Sequence, residues 1–126
     1  MEFKNTKSIF QQIGDTICEK ILSEVYPSND RLPSVREMAA EIGVNPNTVM
    51  RTYTELQNDN IISNKRGIGF FVNEDAADVI LKIRKKEFFE QDLPEFLKKV
   101  DLLNLDKTEI DPIINNLKKR INHENQ

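Results

Sequence analysis

The sequence predicts a mainly α-helical chain with one small β-hairpin, divided into an N-terminal unit over residues 1–73 and a helical tail over residues 74–126. Three observations carry this reading. Residues 31–51 hold two helix signals separated by a glycine at a tight turn. Residues 61–72 hold two short runs of branched and aromatic side chains around a basic, glycine-containing turn. Beyond residue 73 the composition shifts to long charged segments with apolar side chains at helical spacing.

The first helix is expected from Ser8 to Val25, with Ile9, Ile13, Ile17 and Ile21 as its inward stripe. Cys18, the single cysteine, falls on that pattern and reads as a small core hydrophobe rather than a redox group. The run Tyr26–Asp30 is dense in turn formers but lacks glycine, so Asn29 or Asp30 is expected to take the special turn conformation. Ser34 precedes an apolar-periodic run and Glu37 follows three residues later, which is the capping-box arrangement, and a short helix is expected over Val35–Ile42. Gly43 supplies a left-handed end and Val44 its hydrophobic contact. Asn45 suits the next N-cap and Pro46 the first helical position, where a missing amide hydrogen costs nothing. The second helix should bury Val49, Tyr53 and Leu56, leaving Asn47, Thr48 and Arg51 free. The geometry is a helix-turn-helix.

In such a motif the start of the second helix enters the DNA major groove, where amide, hydroxyl and guanidinium groups match base edges and phosphates. Taken alone, Asn45, Asn47 and Thr48 read as capping and solvent-facing residues, since Asn and Thr are common helix starters. The hairpin after them adds weight to the DNA reading. Its strand-like runs, Ile61–Ser63 and Gly69–Val72, flank Asn64–Ile68, whose Lys65 and Arg66 place positive charge where a phosphate backbone would lie. Gly67 and Gly69 permit close backbone approach. A charged hairpin tip in isolation is a solvated turn; directly behind a helix-turn-helix it reads as a wing.

The motifs LPSVRE (Leu32–Glu37), GVNPNTV (Gly43–Val49), YTEL (Tyr53–Leu56) and RGIGFFV (Arg66–Val72) resemble the winged-helix domain of the GntR family of bacterial transcription regulators, over about Ser8 to Asn73. The resemblance implies DNA contacts from Arg36, from Asn45, Asn47 and Thr48 at the start of the recognition helix, and from Arg66 and Gly67 in the wing turn. With Ser34, Arg51 and Lys65 these are the candidate DNA-binding residues. Several positions depart from the family pattern. Phe10 stands where tyrosine is frequent, Asn60 replaces a glycine before the first wing strand, and Ile68 and Phe70 replace frequent lysine and threonine. Asparagine tolerates positive φ, so the change at Asn60 is mild; the missing wing lysine removes one phosphate contact and predicts a shallower salt dependence.

The tail carries three apolar stripes: Ala76, Val79, Ile80 and Ile83; Leu93, Phe96, Leu97, Val100 and Leu103; and Ile110, Ile113, Ile114, Leu117 and Ile121. The step Gln91–Pro94 should separate the first two helices. Asp106 with Glu109 reads as another start, but Pro112 falls inside it, so this helix either kinks there or begins at Asp111. Three short amphipathic helices have too small a core to stand alone. They either pack back on the winged helix or meet a second copy, and the homodimer is the reading adopted, with Ile80, Ile83, Phe88, Leu93, Phe96, Leu97, Val100, Ile113 and Leu117 as its candidate contacts. Tails this short resemble the YtrA branch, whose tail is a helical dimerisation element. The resemblance implies a two-fold repressor on a palindromic double-stranded operator, acting near transporter genes.

Composition excludes other classes. The 126-residue chain has a net charge of −3, which argues against indiscriminate nucleic-acid coating; what counts is the local set Arg31, Arg36, Arg51, Lys65 and Arg66. Lys82, Arg84, Lys85 and Lys86 read as the solvated face of the first tail helix, with flanking phosphates as the other possibility. No nucleophile with a histidine partner, phosphate loop or metal motif is present, so neither an enzyme nor a cofactor is expected. His123, the one histidine, sits near a polar C-terminus unsuited to a metal site. About fifty tail residues provide no effector domain, and the identity of any effector stays open. Without an apolar run of spanning length or a signal-peptide layout, no membrane partner and a cytoplasmic location on the nucleoid are expected. The competing reading is a winged helix that docks a protein instead of DNA.

Overall fold

A computed structural model describes residues 7–124, with side chains through residue 122. The helices are α1 (Ile9–Leu22), α2 (Val35–Ile42), α3 (Pro46–Asn58), α4 (Ala76–Glu87), α5 (Leu93–Leu102) and α6 (Lys107–Glu124); strands β1 (Ile62–Lys65) and β2 (Gly69–Val72) form one antiparallel hairpin. The architecture is a winged helix-turn-helix followed by a helical region. The chain divides into two units, one reaching to Arg84 and the other starting at Lys85.

Local chemistry explains most element ends of the first unit. Gln11 accepts the Ser8 amide at 3.1 Å and closes a capping box at the start of α1. This helix stops at Leu22, short of the expected Val25, because Glu24 turns left-handed (φ 63°) and the Val25 amide returns to the Lys20 carbonyl at 2.8 Å. Asn29 takes the positive φ (70°) expected in the following turn. From there the chain pairs with β2: the Asn29 amide donates to Val72, Leu32 to Phe70 and Val72 to Asp30, all within 2.8–2.9 Å. The short run around Arg31 therefore adds a third edge to the hairpin, which the sequence presents only as a loop. Asn60 adopts φ 63°, and Asn73 braces the hairpin base through the Asn60 carbonyl at 2.8 Å and the Ser63 hydroxyl.

The core of the first unit gathers Ile17, Cys18 and Ile21 of α1, Met38 and Ala39 of α2, Val49, Tyr53 and Leu56 of α3, and Ile62 and Val72 of the hairpin. Burial pushes the Cys18 thiol up to about 11, in keeping with a packing role. Tyr53 is its keystone. Its ring meets Phe70 edge-on at 5.0 Å and its hydroxyl donates to the Pro33 carbonyl at 2.6 Å, so one buried side chain ties α3 to the wing and to the entry of α2. Tyr53→Phe is expected to cost about 1 kcal/mol, read as a lower urea midpoint with an unchanged slope, because the carbonyl loses its partner inside the fold.

Two expectations about the tail are corrected here. Ile80 is 1% exposed in the core of the first unit with Ala76 beside it, so it is committed within one chain and offers no face to a second copy, while Ile83 packs against that core and is half-buried. Arg84 leaves the basic run and donates to the Asp15 carbonyl at 3.1 Å, with the Asp15 carboxylate 4.0 Å away. These contacts carry the first unit past Asn73, where composition alone had placed the boundary.

The second unit begins without the expected break. Phe88–Asp92 form a π-helical turn in which the Leu93 amide donates to Phe88, five residues back, and α5 follows directly. Pro94 cannot donate, and its ring would press on the carbonyl four residues earlier; a wider turn just upstream accommodates it. Asp106 caps α6 by accepting from the Glu109 amide at 3.0 Å and the Thr108 hydroxyl at 2.6 Å, so this helix begins at Lys107 and runs on through Pro112 instead of starting at Asp111. No described side chain of this unit is buried. Phe88, Phe96, Leu97, Ile113 and Leu117 stand exposed, Leu93 and Val100 half-buried; Phe89 and Leu102, absent from the stripes read in the sequence, are exposed as well. No helix among the described residues is long and apolar enough to cross a membrane.

Candidate nucleic-acid interface

The interface is built from caps outward. The Ser34 hydroxyl accepts the Glu37 amide at 3.1 Å and the Glu37 carboxylate accepts the Ser34 amide at 2.9 Å, which fixes the first turn of α2 and with it Arg36. Hydrogen bonding from Ser34 holds the Glu37 carboxyl below its usual range. A depressed carboxyl stabilises the fold at pH values above its ordinary titration, so the cap is complete at neutral pH and is lost as pH falls through the lowered value. Gly43 ends α2 at φ 72°, its amide and that of Val44 both returning to the Ala39 carbonyl. The Asn45 side chain accepts the Asn47 amide at 2.8 Å, and Pro46 opens α3.

These caps sort the candidate residues. Ser34 and Asn45 direct their acceptors at their own helix starts. Arg36, Asn47, Arg66 and Gly67 are exposed, Thr48 is half-buried, and Gly67 sits in the hairpin turn at φ 77°. Arg51 does not extend freely: its guanidinium lies 3.9 Å over the Phe10 ring. Lys65 belongs to the end of β1, not to the turn, and its ammonium lies 4.3 Å from the Phe71 ring centre. The exposed cation of the hairpin turn is therefore Arg66.

Phe10, Phe71 and Met50 are not among the contributors that the sequence singles out, whereas Arg31 is. Phe10 orients Arg51 from a different helix, a pairing that no local pattern encodes, and Phe71 lies against Lys65 from the facing strand of the hairpin. Arg31 lies over Gly69, where an added Cβ would meet its Nε at 2.7 Å, so this glycine (φ 145°) gives the arginine room beside the wing. Met50, 42% exposed on α3, was legible from spacing alone: one position after buried Val49, it falls on the outer side of the helix. The side chain of His123 lies outside the described residues.

Residues 9–72 match the family described as bacterial regulatory proteins, gntR family. The chain is 38% identical over 109 residues to the uncharacterized HTH-type transcriptional regulator YhcF of Bacillus subtilis, covering 86% of this chain and 88% of that one. It is 35% identical over 88 residues to the HTH-type transcriptional repressor YtrA of the same organism, covering 70% and 68%. A crystal structure of a GntR-family protein from Bacteroides thetaiotaomicron superposes with a TM-score of 0.73 at 40% identity, over 90% of this chain and 98% of that one. The family match spans both helices of the motif and the hairpin, and the likeness to YhcF continues beyond them: the chain belongs to the gntR family of bacterial regulatory proteins.

Proposed function

We propose that this DNA-binding transcriptional regulator works as a two-fold homodimer that occupies a palindromic operator and represses by blocking polymerase. One observation carries the DNA side of this reading: Arg36, the start of α3 and the Arg66–Gly67 turn all stand exposed on a frame that Tyr53 ties together. Arg36 and Arg66 act on phosphates or guanine edges, and Asn47 and Thr48 on bases. The second unit, with no buried side chain among the described residues and an array of exposed Phe, Leu and Ile, supports the dimer. A two-fold axis then sets two recognition helices on successive major grooves. Repression follows the relative named as a repressor, and a transporter operon is the target by family resemblance alone. The protein acts in the cytoplasm, on the chromosome.

Titration against duplex DNA over a range of salt concentrations tests the contact surface. The observed affinity should fall linearly on logarithmic axes, and Arg66→Ala should make that slope shallower by about one unit while weakening all sequences evenly. An unchanged slope would remove the wing from the phosphate backbone.

A further inference from the structure

Met50 is the one large apolar side chain exposed on α3. At 3.6 residues per turn the buried side of α3 is set by Val49, Thr52, Tyr53 and Leu56, which places Asn47, Met50, Arg51 and Thr54 on the opposite side. The hydrogen bonds and ring contacts then remove competitors one at a time. Arg51 is drawn over the Phe10 ring, towards α1. The Thr54 hydroxyl donates to the Met50 carbonyl at 2.9 Å, and Asn45 is committed to the helix cap. What remains outward on the first turns of α3 is the Asn47 amide, the half-buried Thr48 and one flexible thioether, Met50, three residues beyond Asn47 and so on the neighbouring ridge.

We propose that Met50 is a specificity-determining residue, reading the C5-methyl of a thymine in the major groove beside the base contacted by Asn47. The inference rests on the DNA-binding reading above. The physical argument is selective: the thymine methyl is the apolar feature of the major-groove edge, and an unbranched, polarisable side chain follows it without demanding a donor or acceptor. Every other base edge there offers hydrogen-bonding groups that a thioether, a weak acceptor and no donor, satisfies poorly. Each half-site of the operator therefore contains a thymine at a fixed offset, required for its methyl group and not for its pairing.

Uracil substitution isolates that methyl. The probe is the duplex enriched by the full chain from a random library, remade with each thymine in turn replaced by uracil, and compared for wild type, Met50→Ala and Met50→Gln. Both variants alter an exposed side chain and are expected to keep the wild-type melting temperature. At one position per half-site, uracil should weaken wild type about fourfold, the measure of one buried methyl, and should leave both variants unaffected. Wild-type tolerance of uracil at every position overturns the proposal, as does an equal uracil penalty in the variants, and in either case DNA binding itself stands. Failure to enrich any sequence overturns the DNA-binding reading together with it, a distinct outcome visible before uracil is introduced.

Discussion

A chain carrying Phe96→Glu and Leu117→Glu is expected to sediment as a monomer under conditions where the wild type is a dimer, and to lose most of its operator affinity. Both side chains are exposed, at 46% and 54%, so a folded chain tolerates the change. In an isologous interface each substitution occurs twice. Placing an unpaired polar group in an apolar interface costs at least about 2 kcal/mol. For one substitution counted on both protomers that is about 4 kcal/mol, close to a thousandfold in the dimerisation constant. Operator affinity falls with it, because linked recognition helices turn the second half-site into an intramolecular event. Circular dichroism should show helix content retained. A doubly substituted chain that remains dimeric would place the subunit interface elsewhere and leave the apolar face of α5 and α6 without its proposed role.

Arg36→Ala is expected to weaken operator binding by about 1–3 kcal/mol per half-site, the range for a charge-assisted contact to a phosphate or a guanine edge, with no change in thermal stability. The stability clause follows from structure: Arg36 is exposed in the first turn of α2, while the cap of that turn belongs to Ser34 and Glu37. Arg36→Lys should recover part of the loss if the partner is a phosphate and little if it is the paired acceptors of a guanine, since only the guanidinium fork meets both at once. Affinity measured by fluorescence anisotropy decides; a folded Arg36→Ala chain that binds like wild type would remove α2 from the contact surface.

The helix-turn-helix was legible because its signals are local. Ser34, Glu37, Gly43, Asn45 and Pro46 each act within four residues, and the caps form where those residue types require. Asn29 and Asn60 were legible for the same reason, as tolerant residues at turns without glycine. What stayed hidden depends on sequence-distant contacts. The edge around Arg31 is too short to show a period, and the stacking of Arg51 on Phe10 joins residues from different helices. The stripe through Ala76, Val79, Ile80 and Ile83 had the correct period but gave no sign of which surface it meets; burial assigns it to the first unit's core. At Gln91–Pro94 a helix break and a π-helical turn answer the same proline constraint, and the sequence does not distinguish them.

In the proposed assembly two copies of this chain read a two-fold symmetric operator through α3 and the wing. Selection of binding sites from a random duplex library, at near-physiological salt and beside an Arg36→Ala/Arg66→Ala control, puts this to the test. The expected result is an inverted repeat with half-sites about one helical turn, or a multiple of it, apart, enriched by wild type and absent from the control. A single asymmetric site, enrichment that survives in the control, or no enrichment by folded dimeric protein would contradict it.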